Sequence, residues 1–281
     1  ATPLMFVGLG VLLAERSGVL FMGVEGAMLL GAFFGFLGAG FIDSAWLGLV
    51  FGTVAGLLGA STLILLTVVL PANQVVVGLA FNIVCVGITS FAFRMAAKSV
   101  PSMTPVLQAP GWLADLPGAQ MLQSVPPLTW LAAGLAVATW YFIFRTAPGL
   151  MLRAAGQDRH AALSAGVDVN AVRGIALAAA GALAGLGGAA LTVGWIRSFS
   201  DDVTLGRGFI ALAAVYFGRW YPGWTILACL LFGLGDAMAF RAQGLGGNPH
   251  FYLMAPYLLT LLGVAVAGRV RGPQEAGRVQ E

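Results

Sequence analysis

The chain has 281 residues, 59% of them hydrophobic and only 9% charged, with a mean hydropathy of +0.91. A soluble domain carries roughly 25% charged residues, so this sequence lacks the polar surface that water demands, and a soluble globular domain is excluded. The net charge of +3 comes almost wholly from arginine and bears on membrane topology rather than on a nucleic-acid partner. Forty glycines fit the same environment, because bilayer helices use Gly for close approach. The expected class is all-α: a polytopic transmembrane bundle, one domain over 1–281, with about eight or nine hydrophobic segments.

In chain order, residues 4–14 form a short apolar run ended by Glu15-Arg16-Ser17-Gly18. The opening at Ala1 without Met leads us to expect an upstream segment. The stretch Gly18 to Gly40 is long enough to cross a hydrocarbon core of ~30 Å at 1.5 Å per residue. Asp43 and Ser44 mark a turn, a third span covers 45–70 and stops at Pro71, and Asn73-Gln74 open a fourth that reaches Arg94. Residues 95–126, with Lys98 and a run of prolines, read as an extracytoplasmic loop. Pro127 suits the first turn of the next span, where its missing N–H costs nothing, and that span ends near Arg145.

The polar interruption Pro148 to Arg173 follows. Ala147 before Pro148 is biased away from helical geometry, which stops the preceding span. Asp158 is positioned to cap a short helix running to about Ala165, Gly166 to end it in the left-handed conformation, and Asp168 to cap the next helix. Such a helix shows Arg159 and His160 beside small alanines. It suits docking to a cytoplasmic partner, and it equally suits resting on lipid headgroups. A further span covers about 174–194. The run Gly206 to Gly218 is too short to cross comfortably and reads as a broken or re-entrant segment. Residues 222–240 and 251–267 complete the set before a tail over 268–281.

Arginine asymmetry orients the chain. With the tail cytoplasmic, the 147–173 loop is cytoplasmic too. Arg16, Arg145, Arg153, Arg159, Arg173, Arg219, Arg269, Arg271 and Arg278 then lie inside, against Arg94, Lys98, Arg197, Arg207 and Arg241 outside.

Absences limit the chemistry. The only lysine, Lys98, lies in no G-x-x-x-x-G-K-[ST] phosphate loop, so the chain does not bind ATP in that way. His160 and His250 form no H-E-x-x-H pair, no serine sits in a G-x-S-x-G elbow, and Cys85 and Cys229 lack metal-ligand spacing. No catalytic or metal-binding residue is expected. Ionisable groups at membrane depth are costly unless they face protein or water. Glu25 and Asp236 therefore stand between two readings: pathway carboxylates, or structural groups that pair with an arginine or cap backbone amides. Asn82 either bonds a polar solute or bonds across helices, and Phe81 either stacks on a ring or packs against lipid and core. The glycine spacings Gly31/Gly35, Gly48/Gly52/Gly56 and Gly181/Gly185 match small-residue contacts, within the chain or with a second membrane subunit.

Taken together, ERSGVLFMGVEGAMLLGAFFG (Glu15 to Gly35), NQVVVGLAFN (Asn73 to Asn82), GLMLRAAGQDRHAALSAGV (Gly149 to Val167), GRGFIALAAVYFGRWYPG (Gly206 to Gly223) and LMAPYLLTLL (Leu253 to Leu262) resemble the permease subunits of bacterial ABC importers for nucleosides and simple sugars. That group falls within the branched-chain amino acid/ribose permeases. The resemblance implies a type II importer fold in the bacterial inner membrane. It also implies a second permease subunit, identical or homologous, and a cytoplasmic ATPase that holds ATP-Mg while this chain carries no cofactor. An extracytoplasmic solute-binding protein, often a lipoprotein, completes the implied set. It places the coupling helix on the loop matching Gly149 to Val167, hence Gly156, Gln157, Asp158, Arg159, His160, Ala161 and Gly166 at the ATPase, and Glu25, Phe81 and Asn82 along the pathway. Family members usually carry Asn-Ile before Gly-Leu-Glu-Gly. Here Phe21-Met22 precede Gly23-Val24-Glu25-Gly26, so an aromatic replaces a polar group and substrate identity stays open.

Overall fold

A computed structural model describes residues 1–96, 103–105, 107, 126–243, 272–273 and 277. Most of the 95–126 loop, the expected 251–267 span with His250, and most of the 268–281 tail lie outside the described residues. What is described is helical, with no strand among the described residues.

The helices are α1 (Thr2–Arg16), α2 (Val24–Ile42), α3 (Ala45–Ile64, continued by a π-helical turn Leu65–Val69), α4 (Gln74–Ala96) and α5 (Pro127–Arg145). Two shorter ones, α6 (Ala147–Gln157) and α7 (Arg159–Ser164), lead into α8 (Val169–Ala189, continued by a π-helical turn Ala190–Ile196), α9 (Arg207–Phe217) and α10 (Pro222–Gln243). Five of these, α2, α3, α4, α5 and α8 with their π turns, are long and apolar enough to cross a bilayer, and α9 and α10 are shorter apolar helices.

α1 is the axis of the bundle: every residue from Thr2 to Glu15 is buried. It packs on α8, α9, α10 and α5, and α2, α3 and α8 pack on one another beside it. The seven glycines singled out by spacing all meet in that second group. A Cβ on Gly31 would collide with the backbone of Gly185, one on Gly52 with the carbonyl of Gly31, and one on Gly56 with Gly181 and Gly185. Gly35 and Gly48 likewise face each other across α2 and α3. The small-residue spacings therefore build a seam inside this chain. Backbones approach until dispersion between main-chain atoms holds them, which is the available attraction where lipid removes the hydrophobic drive between helices.

Two expectations are corrected. The second span does not start at Gly18: residues 18–23 are non-helical and α2 begins at Val24. Hydropathy cannot separate apolar helix from apolar extended chain, and non-helical backbone at membrane depth is tolerated because protein buries it. The break after α5 falls at Thr146 rather than Ala147. Thr146 is extended (φ −115°, ψ 153°) and caps α6, so Ala147 and Pro148 open a helix where Pro needs no donor. Arg207, counted with the outer side by arginine asymmetry, is buried and paired with Asp236.

Candidate functional site

The 147–173 stretch folds as three short steps. The Thr146 hydroxyl accepts from Gly149 N (3.2 Å) and donates to Phe142 O (2.6 Å), which folds α6 back against the end of α5. α6 buries Gly149, Leu152, Ala155 and Gly156. Asp158 is extended (φ −151°, ψ 109°), and its Oδ1 accepts from Ala161 N at 3.0 Å, starting α7. Gly166 reverses the chain at φ +80°, a value that penalises any Cβ. Asp168 Oδ1 accepts from Ala171 N at 3.0 Å and starts α8.

A small cluster of Ala155, Ala162 and Val169 pins α7 between α6 and α8. The outward side is left exposed at Gln157, Asp158, His160, Ala161, Leu163 and Gly166, with Arg159 half-buried. Gly156 differs from the rest of this set. It is buried, and a Cβ there would meet the carbonyl of Arg16 and the amide of Gly18. Arg173, also buried, donates from Nε to Ser17 O at 3.2 Å. The loop thus rests directly on the end of α1. Around it, Arg16 and Arg153 lie 6.0 and 5.4 Å from the Phe144 ring centroid, and Arg145 lies 5.9 Å from that of Trp140. These are cation–π distances, and they gather Arg16, Arg145 and Arg153, three of the arginines counted as cytoplasmic, beside a fourth, Arg173, at one end of the bundle.

The second cluster lies deeper. Leu20 N donates to Gln74 Oε1 at 2.8 Å, and Gly26 N donates to Asn82 Oδ1 at 2.8 Å. Gln74 and Asn82 are eight residues apart on α4, so the link from Leu20 climbs ~12 Å into the bundle before α2 is under way. Asn82 Nδ2 donates to Met22 O at 2.9 Å, so this one amide satisfies both a donor and an acceptor left by the broken backbone.

α9 also starts at this depth. Its N-cap, Gly206, is left-handed (φ 72°) and offers no side chain. Glu25 supplies what is missing: Oε1 accepts from Gly206 N (3.0 Å) and Oε2 from Gly208 N (2.8 Å). A carboxylate at a helix N-terminus satisfies orphan amides and opposes the positive end of the dipole. Gly208 leaves room for it, since a Cβ there would sit 2.6 Å from Oε2. Phe81 is half-buried beside Gly23, Gly26 and Gly59 and lines an apolar groove among α2, α3 and α4, with Leu30, Phe34, Phe51 and Ile88. Asp236 Oδ2 pairs with Arg207 at 3.1 Å. Glu25, Phe81 and Asn82 are thus brought into one neighbourhood with the starts of α2 and α9, while the exposed 157–166 surface lies apart from it.

Sequence reasoning missed a third cluster. Glu15 is fully buried; Oε1 accepts from the Tyr216 hydroxyl (3.0 Å) and Oε2 from Trp220 Nε1 (2.5 Å). Arg16 Nε donates to Trp220 O at 2.8 Å. The partners lie more than two hundred residues away, and the only local signal was an acid at the end of an apolar run.

A model of the branched-chain amino acid transport system permease component family matches residues 1–267. The chain is 35% identical over 252 residues to the putative glucose ABC transporter permease protein TsgC13 of Haloferax volcanii, covering 87% of this chain and 76% of the relative. It is 32% identical to the nucleoside ABC transporter permease protein NupC of Lactococcus lactis, over 99% of this chain and 92% of the relative. The guanosine ABC transporter permease protein NupQ of Bacillus subtilis gives the same identity and coverage. No solved structure matches the chain.

Proposed function

The chain belongs to the branched-chain amino acid transport system permease family, and on that premise we propose that it imports a nucleoside or a related ribose-bearing solute as one permease subunit of an ATP-driven ABC importer. It is a multi-pass transport subunit and not an enzyme. ATP-Mg is held by a separate cytoplasmic ATPase. Solute passes between this subunit and an identical or homologous one, delivered by an extracytoplasmic solute-binding lipoprotein, and the assembly sits in the bacterial cytoplasmic membrane.

The observation that carries this reading is the exposed step α7. A helix of six residues, capped by Asp158 and ended by Gly166, stands proud of α6 and α8 on a chain that has no phosphate loop of its own. Gln157, Asp158, Arg159, His160, Ala161 and Gly166 form its contact with the ATPase, and buried Gly156 is the point on which it bears. Glu25, Phe81 and Asn82 lie along the solute route. The nucleoside assignment is supported by two relatives that span nearly the whole chain. A simple sugar is the second reading, favoured by the relative named for glucose.

Two experiments test the proposal. A cysteine placed at Ala161 is expected to cross-link to a cysteine in a surface groove of the ATPase. No cross-link at any groove position, in an assembly that still transports, would remove the docking assignment. Proteoliposomes holding this chain alone are expected to take up neither guanosine nor glucose; ATP-independent uptake there would make it a self-contained carrier.

A further inference from the structure

The half-span α9 is held at both ends by carboxylates from one short stretch of chain. Glu25 caps its first turn, and Glu15 binds Tyr216 and Trp220 at its far end. Between the two glutamates runs the non-helical link, with Gly18 at φ 88° and Val19 and Phe21 buried. The loop 147–173 bears on the same stretch, through Gly156 against Arg16 and Gly18 and through Arg173 on Ser17 O. Beyond α9 the chain turns through Arg219 and Trp220, both left-handed (φ 52° and 54°). Such non-glycine conformations are strained and persist only where the surroundings hold them. Here the surroundings are Glu15 on the indole N–H and Arg16 on the Trp220 carbonyl.

We propose that residues 15–25 transmit movement of the 147–173 loop to α9, with Glu15, at the end of α1, and Glu25, in the first turn of α2, as the positioning residues that tie the two ends of α9 to the two ends of the link. This rests on the reading of that loop as the ATPase contact. The physical basis is a contiguous set of packed backbone and hydrogen bonds, ending on an 11-residue helix that spans only part of the bundle. When the loop shifts, Arg16 to Gly18 shift with it. Glu15 then draws the Trp220 turn and Glu25 draws the start of α9, beside Asn82 and Phe81.

The test uses the full importer in proteoliposomes, with radiolabelled guanosine and glucose as probes, and Tyr216→Phe and Trp220→Phe as variants. Each removes one donor to Glu15; Tyr216→Phe keeps the ring, and Trp220→Phe replaces the buried indole with a smaller one. Three quantities are read: co-purification of the ATPase, ATP hydrolysis, and uptake. The expected result is ATPase retained and hydrolysis persisting, while uptake per ATP falls about tenfold, a normal size for coupling between sites. Uptake per ATP within about twofold of wild type in both aromatic variants would overturn the inference. So would loss of both from the membrane, which makes the clasp purely structural. Failure of the wild-type chain to hold the ATPase would instead sink the docking reading beneath it.

Discussion

The α2–α3–α8 seam and the 15–25 link with α9 solve the same problem, holding helices together in lipid, by opposite means. The seam has unbroken helices and main chain in contact with main chain, and its fixings are glycines that cannot be enlarged. The link has opened backbone and a half-length helix, and its fixings are Glu15, Glu25, Asn82 and Gln74, each bonding across elements. Close packing is steep and leaves one arrangement, whereas a hydrogen bond between a carboxylate and a turn survives a rigid shift of both. The two regions are built from different interactions, and they join at Glu25, in the first turn of α2.

The seam is the less forgiving of the two regions. Gly185→Leu places a side chain into the backbone of Gly52 and Gly56. Overpacking of this kind is expected to cost about 3 kcal/mol, and the variant should fail to yield a monodisperse protein in detergent. A stable, well-behaved Gly185→Leu protein would show that the seam is not close-packed. Glu25→Ala comes next. It strands the amides of Gly206 and Gly208, a loss of about 2 kcal/mol, so thermal unfolding should move down while the protein still folds. Uptake should fall far more than stability does. Equal losses of stability and uptake would reduce Glu25 to a strut. Asn82→Ala follows, freeing Gly26 N and Met22 O for about 1–2 kcal/mol. Its unfolding shift should be smaller than that of Glu25→Ala.

Much of the scaffold was legible in the sequence because its signals are local. Pro127 opens α5, Ser44 caps α3 by accepting from Leu47 N, and Asp158, Gly166 and Asp168 bound the helices they were expected to bound. The shortness of the Gly206–Gly218 run also emerged, as an 11-residue helix. What hydropathy hid was the state of apolar backbone: residues 18–23 are as greasy as a helix and are not one. Pro148 was read as a stop, whereas Thr146 makes it a start. Glu25 and Asp236 were left between two roles, and only the fold could supply Gly206, Gly208 and Arg207 as their partners. The Glu15 clasp depends on partners from the far end of the chain, and no spacing rule reaches that distance.

The mildest test falls on the surface of α7, outside both the seam and the link. Asp158→Ala removes the one side chain that caps this helix, a loss of about 1 kcal/mol. Because α7 is a six-residue exposed step pinned by Ala162, that loss is local. Global unfolding should hardly move, while amide exchange at Ala161 and Ala162 should quicken. Gly166→Ala acts at the other end, through its φ of +80° rather than through crowding, since nothing lies within 4 Å of a Cβ there. Both variants should weaken retention of the ATPase while leaving the glycine seam and the α9 clasp intact. If both frayed α7 without changing ATPase retention, the helix would be a headgroup rest rather than a docking element, and movement would have to enter the 15–25 link through Gly156 and Arg173 without it.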